Sequence, residues 1–212
     1  MRYLIIGLGI YGTSLARDLA AQGHEVIGVD SRQNRIADVK DYISTTYLLD
    51  STDESALSVL PFDGVDLTVV AIGENFESSL QTTALLQDYG APFVLARAKS
   101  DVHEKFLLRN GADRVVCTER DMAERLAMKY GLDTVFDYIQ LTDSYSIYEI
   151  QTPPKWVGKS IEELRVRAKY GISILATKKA GVMSPNPYAD HVFSKDETLL
   201  IMGQPSDVRK LV

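Results

Sequence analysis

Cysteine occurs once in this chain of 212 residues, at Cys117. No disulfide can form within the chain, and a reducing compartment is the expected setting. Histidine occurs three times, at His24, His103 and His191, and no zinc-ligand spacing exists among these residues. A G-x-S-x-G elbow and a P-loop lysine are also missing, which removes two common routes to acyl and phosphoryl transfer. No apolar run approaches the roughly 20 residues needed to span a bilayer. The first apolar segment begins at Tyr3, which leaves no room for a secretory leader, so a cytoplasmic location is expected. Internal repeats and low-complexity segments are absent too. What remains, 45% hydrophobic and 25% charged residues, is ordinary for a soluble globular protein.

Charge is short on one side only. Residues 1–138 carry 13 Lys/Arg against 21 Asp/Glu, a balance of −8, while residues 139–212 carry 10 against 8, a balance of +2. The acidic larger part argues against nucleic acid as a partner. The change of sign suggests two modules, 1–138 and 139–212.

The strongest local signal lies at the start. Tyr3-Leu4-Ile5-Ile6 reads as a strand buried on both faces, and Gly7, Gly9 and Gly12 follow at the G-x-G-x-x-G spacing. The first glycine permits a tight turn, the second lets backbone amides approach a pyrophosphate, and the third lets the next helix pack closely. That helix is expected from Ile10 to Gly23, with its N-terminal amides and dipole facing the phosphates. A second strand, Glu25 to Asp30, ends in an acid 18 residues past Gly12, where a ribose hydroxyl needs an acceptor. Ser31, Arg32 and Arg35 follow and are counted with it as candidate nucleotide contacts. Asp30 argues against a 2′-phosphate, an exclusion that the two arginines weaken.

Strands and helices then alternate. Strands are expected at 45–50, 67–71, 92–96 and 114–117, and helices at 32–41, 56–60, from Asn75 to Tyr89, from a cap at Asp101 to Arg109, and at 119–130. The pattern predicts an α/β fold, a Rossmann-type doubly wound parallel sheet. Turns after Leu49 and Ala71 emerge at the carboxyl edge, so Asp50, Ser51, Ile72 and Gly73 should line the ligand crevice. The helix 119–130, with Met122, Leu126 and Tyr130 on one stripe, either closes its own domain or packs on a partner chain.

The second module should be a small α+β domain of β-α-β-β type. Strands are expected at 146–150, 172–177 and 198–203, Ser160 caps a helix at 161–164, a turn falls at 179–181, and Ser184 to Pro187 forms a rigid loop. About 74 residues is small for independent stability, so dimerisation or docking is expected.

Chemistry beyond binding is hard to find. A dehydrogenase needs a proton donor or acceptor beside the hydride path. His24 reads as a polar surface residue, His103 as a residue near the start of an exposed helix, and His191 as part of a polar loop. Cys117 reads as a small core residue. No catalytic residue is assigned, and a bound nucleotide would have nothing to react with.

Four phrases carry a family resemblance: Leu67 to Asn75 (LTVVAIGEN), Gly111 to Arg114 (GADR), Glu119 to Met122 (ERDM) and Val166 to Gly171 (VRAKYG). Together they make the chain resemble the RCK proteins, the regulators of potassium conductance, and within them the KtrA/TrkA-type cytosolic subunits of bacterial potassium transporters. The resemblance implies an N-lobe binding ATP, ADP or NAD(H), a C-lobe of the RCK-C type, and homodimers assembled into an octameric ring beneath a membrane potassium-translocating subunit. It implies a peripheral, cytosolic-face association. Carried over by motif, the nucleotide contacts are Gly7, Gly9, Ile10, Tyr11, Gly12, Asp30, Asp50, Ser51, Ala71, Ile72, Gly73, Arg97 and Glu119. Glu119 matches a family acid that joins a divalent cation such as Mg2+ near the phosphates. KtrA-type members commonly carry arginine where this chain has Ile10. The stretch Arg165, Arg167, Tyr170, Ile172, with Pro187, resembles the region where some relatives bind cyclic di-AMP; read without the resemblance it is a solvated basic turn. Two other functions fit the residues: an NAD(P)-dependent oxidoreductase, and a nucleotide-binding protein with no transporter partner.

Overall fold

A computed structural model describes residues 1–131, 135–142 and 144–211. The chain divides into two compact units, Met1–Asp121 and Met122–Val212.

The first unit alternates strand and helix: β1 (Arg2–Ile6), α1 (Ile10–Ala21), β2 (Glu25–Asp30), α2 (Gln33–Val39), β3 (Thr45–Leu48), α3 (Glu54–Leu57), β4 (Leu67–Val70), α4 (Phe76–Asp88), β5 (Val94–Arg97), α5 (Asp101–Arg109) and β6 (Arg114–Val116). The six strands are all parallel and stand in the order β3-β2-β1-β4-β5-β6. This is the doubly wound order, and it reverses direction between β1 and β4. The apolar run of β1 is used on both faces. Leu4 and Ile6 join one buried cluster with Ile27, Val29, Val70 and Leu86, while Ile5 joins another with Leu8, Ala16, Val26 and Val69. A strand covered by helices on both sides needs such a run rather than an alternation.

Helix ends follow local chemistry. Gly23, at φ +84°, closes α1 in a Schellman arrangement: its N–H donates to Ala20 O at 2.9 Å and the His24 N–H to Leu19 O at 3.2 Å. The Asp53 carboxylate caps α3, and the Asn75 side chain caps α4. Helix α5 differs from expectation in its cap. Ser100 Oγ, not Asp101, accepts the His103 N–H at 3.2 Å, and Asp101 is the first helical residue.

Helix α6 (Thr118–Gly131) runs through the division between the units. Its first turn is tied to α5 by Arg120, whose Nη1 donates to Asp101 at 2.7 Å and Glu104 at 2.8 Å.

The second unit adds β7 (Val135–Gln140), β8 (Ser146–Gln151), α7 (Ile161–Leu164), α8 (Val166–Tyr170), β9 (Ser173–Lys179), β10 (Val182–Pro185), β11 (Glu197–Gly203) and α9 (Pro205–Val208). Its five strands are antiparallel in the order β10-β9-β11-β8-β7. Tyr148, Ile150, Trp156, Phe193, Leu199 and Ile201 form its core. A full capping box starts α7: Ser160 accepts the Glu163 N–H, and Glu163 accepts the Ser160 N–H.

Three features depart from the sequence reading. β7 was not expected; residue 138, where the charge balance changes, falls inside it. α8 occupies the stretch read as a basic turn. Ser184 and Pro185 belong to strand β10, paired with Thr177 and Ala176, so the expected rigid loop starts only after them. Among the described residues no helix is long and apolar enough to cross a membrane.

Candidate functional site

A crevice of about 970 Å³ opens at the carboxyl edge of the parallel sheet, where the strand order reverses. Its floor is the glycine loop between β1 and α1. Gly7 sits at φ +96°, a conformation that side chains with a Cβ seldom adopt. A Cβ on Gly12 would lie 1.9 Å from Gly7 O, so only glycine lets α1 come this close to the loop. Gly9 has the opposite character. Its φ is −70° and a Cβ there would meet nothing within 4 Å. The fold leaves that position open toward the crevice.

Asp30, at the end of β2, is 7% exposed and already bonded. Oδ2 accepts the Leu8 N–H at 2.8 Å and Oδ1 the Arg32 N–H at 2.9 Å. The acid that would meet a ribose therefore also fixes the glycine loop against β2. Each carboxylate oxygen keeps acceptor capacity for a further donor.

The structure places Gly7, Gly9, Ile10, Tyr11, Asp30, Ser31, Arg32, Arg35, Asp50, Ser51, Ala71, Ile72, Gly73, Arg97 and Glu119 on the crevice wall. Gly12 is buried behind the loop and does not line it. Ile10, at the start of α1, is 85% exposed. Ser51 is held from below, its hydroxyl 2.8 Å from Thr82 Oγ1.

Several lining residues escaped the sequence reading: Ser14, Thr52, Asn75, Ser78, Lys99 and Thr118. Lys99 and Thr118 stand at the turns directly after parallel strands β5 and β6. The rule that such turns surround the ligand crevice, carried through to β5 and β6, would have found them.

Arg97 ends β5, on the far side of β1 from Asp30. Its Nη2 donates to Glu119 Oε1, its Nε to Thr118 Oγ1 at 3.3 Å, and its guanidinium lies 5.6 Å from the Tyr11 ring centroid. The Thr118 hydroxyl donates in turn to Glu119 Oε2 at 2.8 Å. That hydroxyl, the Glu119 amide and Arg97 hold the Glu119 carboxyl below the usual carboxylate range. Burial raises the Tyr11 hydroxyl, with Arg97 pulling the other way.

Residues for a resident metal are not assembled. Among the described residues no three His, Cys, Asp or Glu side chains come together, and both Glu119 oxygens are engaged. A divalent cation beside Glu119 would have to draw its other ligands from phosphates or a second chain.

The histidines separate. His103 is buried, 2% exposed, against expectation, because Phe76 from α4 covers its ring at 4.8 Å. Burial, and then nearby Lys99, lowers its pKa. His24 packs on Tyr3. His191 bonds the buried Glu197 at 3.2 Å. None of the three lines the crevice.

In the second unit a cleft of about 440 Å³ is lined by Arg165, Arg167, Ile172 and Pro187, among others. Tyr170 is not on its wall. The ring instead packs 5.1 Å from Trp156.

The fold defines a class: a Rossmann-type parallel α/β unit followed by a small unit built on an antiparallel sheet. Residues 3–118 match the TrkA-N domain and residues 145–212 the TrkA-C domain. The Ktr system potassium uptake protein C of Bacillus subtilis (strain 168) is 35% identical over 98% of this chain and 94% of its own. Protein A of the same system and organism is 34% identical over 99% and 94%. The chain belongs to this TrkA-N/TrkA-C family, which includes the Ktr potassium uptake proteins. Among solved structures, the RCK domain of GsuK superposes with a TM-score of 0.66 at 20% identity, covering 98% of this chain and 46% of that one. The GsuK channel bound to NAD superposes with a TM-score of 0.70 at 21% identity, covering 99% of this chain and 38% of that one.

Proposed function

We propose that this chain is a nucleotide-sensing regulatory subunit of a potassium uptake transporter, acting without catalysis on the cytosolic face of the membrane. The observation that carries the reading is the crevice itself. A glycine loop with one open position, Gly9, faces an acid locked by Leu8 and Arg32, at the switch point of the sheet. That arrangement binds the ribose and pyrophosphate of an adenine nucleotide. The family relation to the Ktr potassium uptake proteins supplies the transport context.

The crevice supports ATP, ADP or NAD(H) alike. A divalent cation enters this reading only with the phosphates, since no group of three metal-ligating side chains is assembled among the described residues. The membrane potassium-translocating subunit is the expected partner, approached as a homodimer or an octameric ring of such chains. The cleft at Arg165 and Arg167 is the place to look for cyclic di-AMP, because two guanidinium groups beside apolar Ile172 and Pro187 suit a phosphate-bearing purine. The boundary between the nucleotide-binding and regulatory lobes is placed at 138/139 in this reading.

The test is direct. Mass spectrometry of nucleotide released from the purified protein, followed by calorimetry with ATP, ADP, NAD+ and NADH, should find binding that Gly9→Glu abolishes. Absence of binding to all four would remove the reading. Oxidation of NADH by simple carbonyl substrates, followed at 340 nm, would favour an oxidoreductase instead.

A further inference from the structure

Five cations, Lys155, Lys159, Arg165, Arg167 and Lys169, fall between residues 155 and 169, against two acids, Glu162 and Glu163. All five are exposed. The ion pairs of the second unit involve other residues, such as Lys178 with Glu149 and Lys179 with Asp196. Among the described residues none of the five is paired.

Local structure gathers three of them. The bend between α7 and α8 brings Lys159, Arg165 and Lys169 onto the wall of a cleft of about 810 Å³. Glu163 is the one acid on that wall, and its carboxylate accepts the Ser160 N–H at 2.8 Å in the α7 capping box. Arg165 stands at the bend itself, at φ +49°, where glycine would carry no Cβ penalty and arginine does. Lys169 Nζ lies 5.5 Å from the centroid of the Tyr170 ring, which packs on buried Trp156. The lysine is thus presented from a packed aromatic base.

Unpaired ammonium and guanidinium groups around an open cleft select oxyanions. The surroundings favour a phosphate-bearing surface over a small soluble anion. Lys155 and Arg167 carry the charge beyond the cleft wall, and Val157, 39% exposed, sets an apolar side chain between Lys155 and Lys159 in the sequence. Clusters of about four to eight Lys/Arg are the pattern that anionic lipid headgroups attract. Residues 1–138 sum to −8. An anionic surface therefore repels most of the chain and attracts this stretch, which sets an orientation.

We propose that the α7–α8 bend is a membrane-contact site, in which Lys159, Arg165 and Lys169 hold the phosphates of anionic lipid headgroups. It is separate from the neighbouring cleft at Arg167 and Pro187: Arg165 lines both, whereas Lys159 and Lys169 line only this one. It does not depend on the nucleotide reading.

The experiment sediments the full chain with vesicles of phosphatidylcholine alone and of phosphatidylcholine mixed with phosphatidylglycerol, with no transporter present. Binding is expected to the mixed vesicles only, and it should fall as salt rises. Lys159→Gln and Lys169→Gln should each lower partitioning about fivefold, and the double variant should lower it further. A control pair, Lys40→Gln with Lys105→Gln, removes the same charge from exposed positions elsewhere and should bind nearly as wild type does. Thermal melts establish that each variant is folded. No binding to mixed vesicles, equal binding to both kinds, or an equal loss in the control pair would overturn the proposal. Where the mixed vesicles fail, calorimetric binding of inorganic pyrophosphate that the double variant loses would reassign the cleft to a soluble anion.

Discussion

Asp30 is bonded to Leu8 across 22 positions of sequence, its Oδ2 accepting the Leu8 N–H at 2.8 Å inside the protein. With the Arg32 N–H on Oδ1, the carboxylate joins three elements: the glycine loop, the end of β2 and the turn into α2. One residue thus fixes the shape of the loop and, in the proposed nucleotide site, would also meet the ribose.

Asp30→Ala should therefore cost stability as well as nucleotide affinity. Removing the carboxylate leaves a buried N–H at Leu8 without its partner, a loss on the order of 1–3 kcal/mol. Urea unfolding without nucleotide should show that loss as a lowered midpoint. Equal stability of variant and wild type would show that the Leu8 amide finds another acceptor.

Gly9→Glu should behave in the opposite way. The position has an ordinary φ and open space beyond its Cα, so the variant should fold and melt like wild type. The new carboxylate would point where a pyrophosphate lies, and calorimetry should find no binding. A variant that still bound ATP, ADP or NAD+ with wild-type affinity would place the nucleotide elsewhere.

Much of this was legible in the residues because the parallel sheet writes its signals locally. Runs such as Leu4-Ile5-Ile6 and Leu67 to Val70, each followed by a glycine turn or a capping residue, mark strand, turn and helix in order. The second unit is less readable. β7 carries a register shift between Val135 and Asp137, which breaks the two-residue period that marks a strand. α8 follows α7 through Arg165 at φ +49°, so two short helices look like one helix and a basic turn. His103 reads as surface on its own helix. Its burial depends on Phe76, 27 positions earlier, and no local pattern reports that contact.

Acid should weaken the first unit through His103. Its folded pKa is lowered, by burial first and by Lys99 second, so the unfolded chain binds the proton more readily. The neutral ring contributes stability above its unfolded pKa of about 6.5, and that contribution is lost as pH falls below it. Protonation also removes the acceptor at Nδ1 that takes the Lys99 N–H at 3.3 Å. Melting temperature should fall between pH 7 and pH 5.5, and less so in His103→Gln. A parallel fall in both proteins would assign the lability to other groups.

Association is expected from α6. Met122, Leu126 and Tyr130 recur every four residues and are 51%, 44% and 77% exposed in the single chain. Apolar side chains on one helical stripe are stabilised by covering them. Light scattering at micromolar concentration should give a dimer or larger, with nucleotide altering the distribution. Leu126→Glu should shift it toward a 23.5 kDa species. A monomer under all nucleotide conditions would leave α6 without a partner chain.

In the proposed nucleotide site, Ile10 bears on how phosphates would be told apart. It is 85% exposed at the first turn of α1 and lines the crevice, yet it offers no donor. Beyond the loop amides, the third phosphate of ATP would depend on Arg97, which Glu119 already occupies, and on exposed Lys99. Discrimination between ATP and ADP should consequently be weak, below the roughly tenfold ratio that 1.4 kcal/mol of extra contact would give. Ile10→Arg adds an unpaired guanidinium at an exposed site, where a charge-assisted and even bidentate bond to phosphate becomes available. It should raise ATP affinity and leave ADP nearly unchanged. Four titrations decide this, wild type and variant with each nucleotide, at fixed magnesium and salt, because exposed charges are screened by ions. A wild-type protein that already favoured ATP by far more than tenfold would show that another group reads the third phosphate.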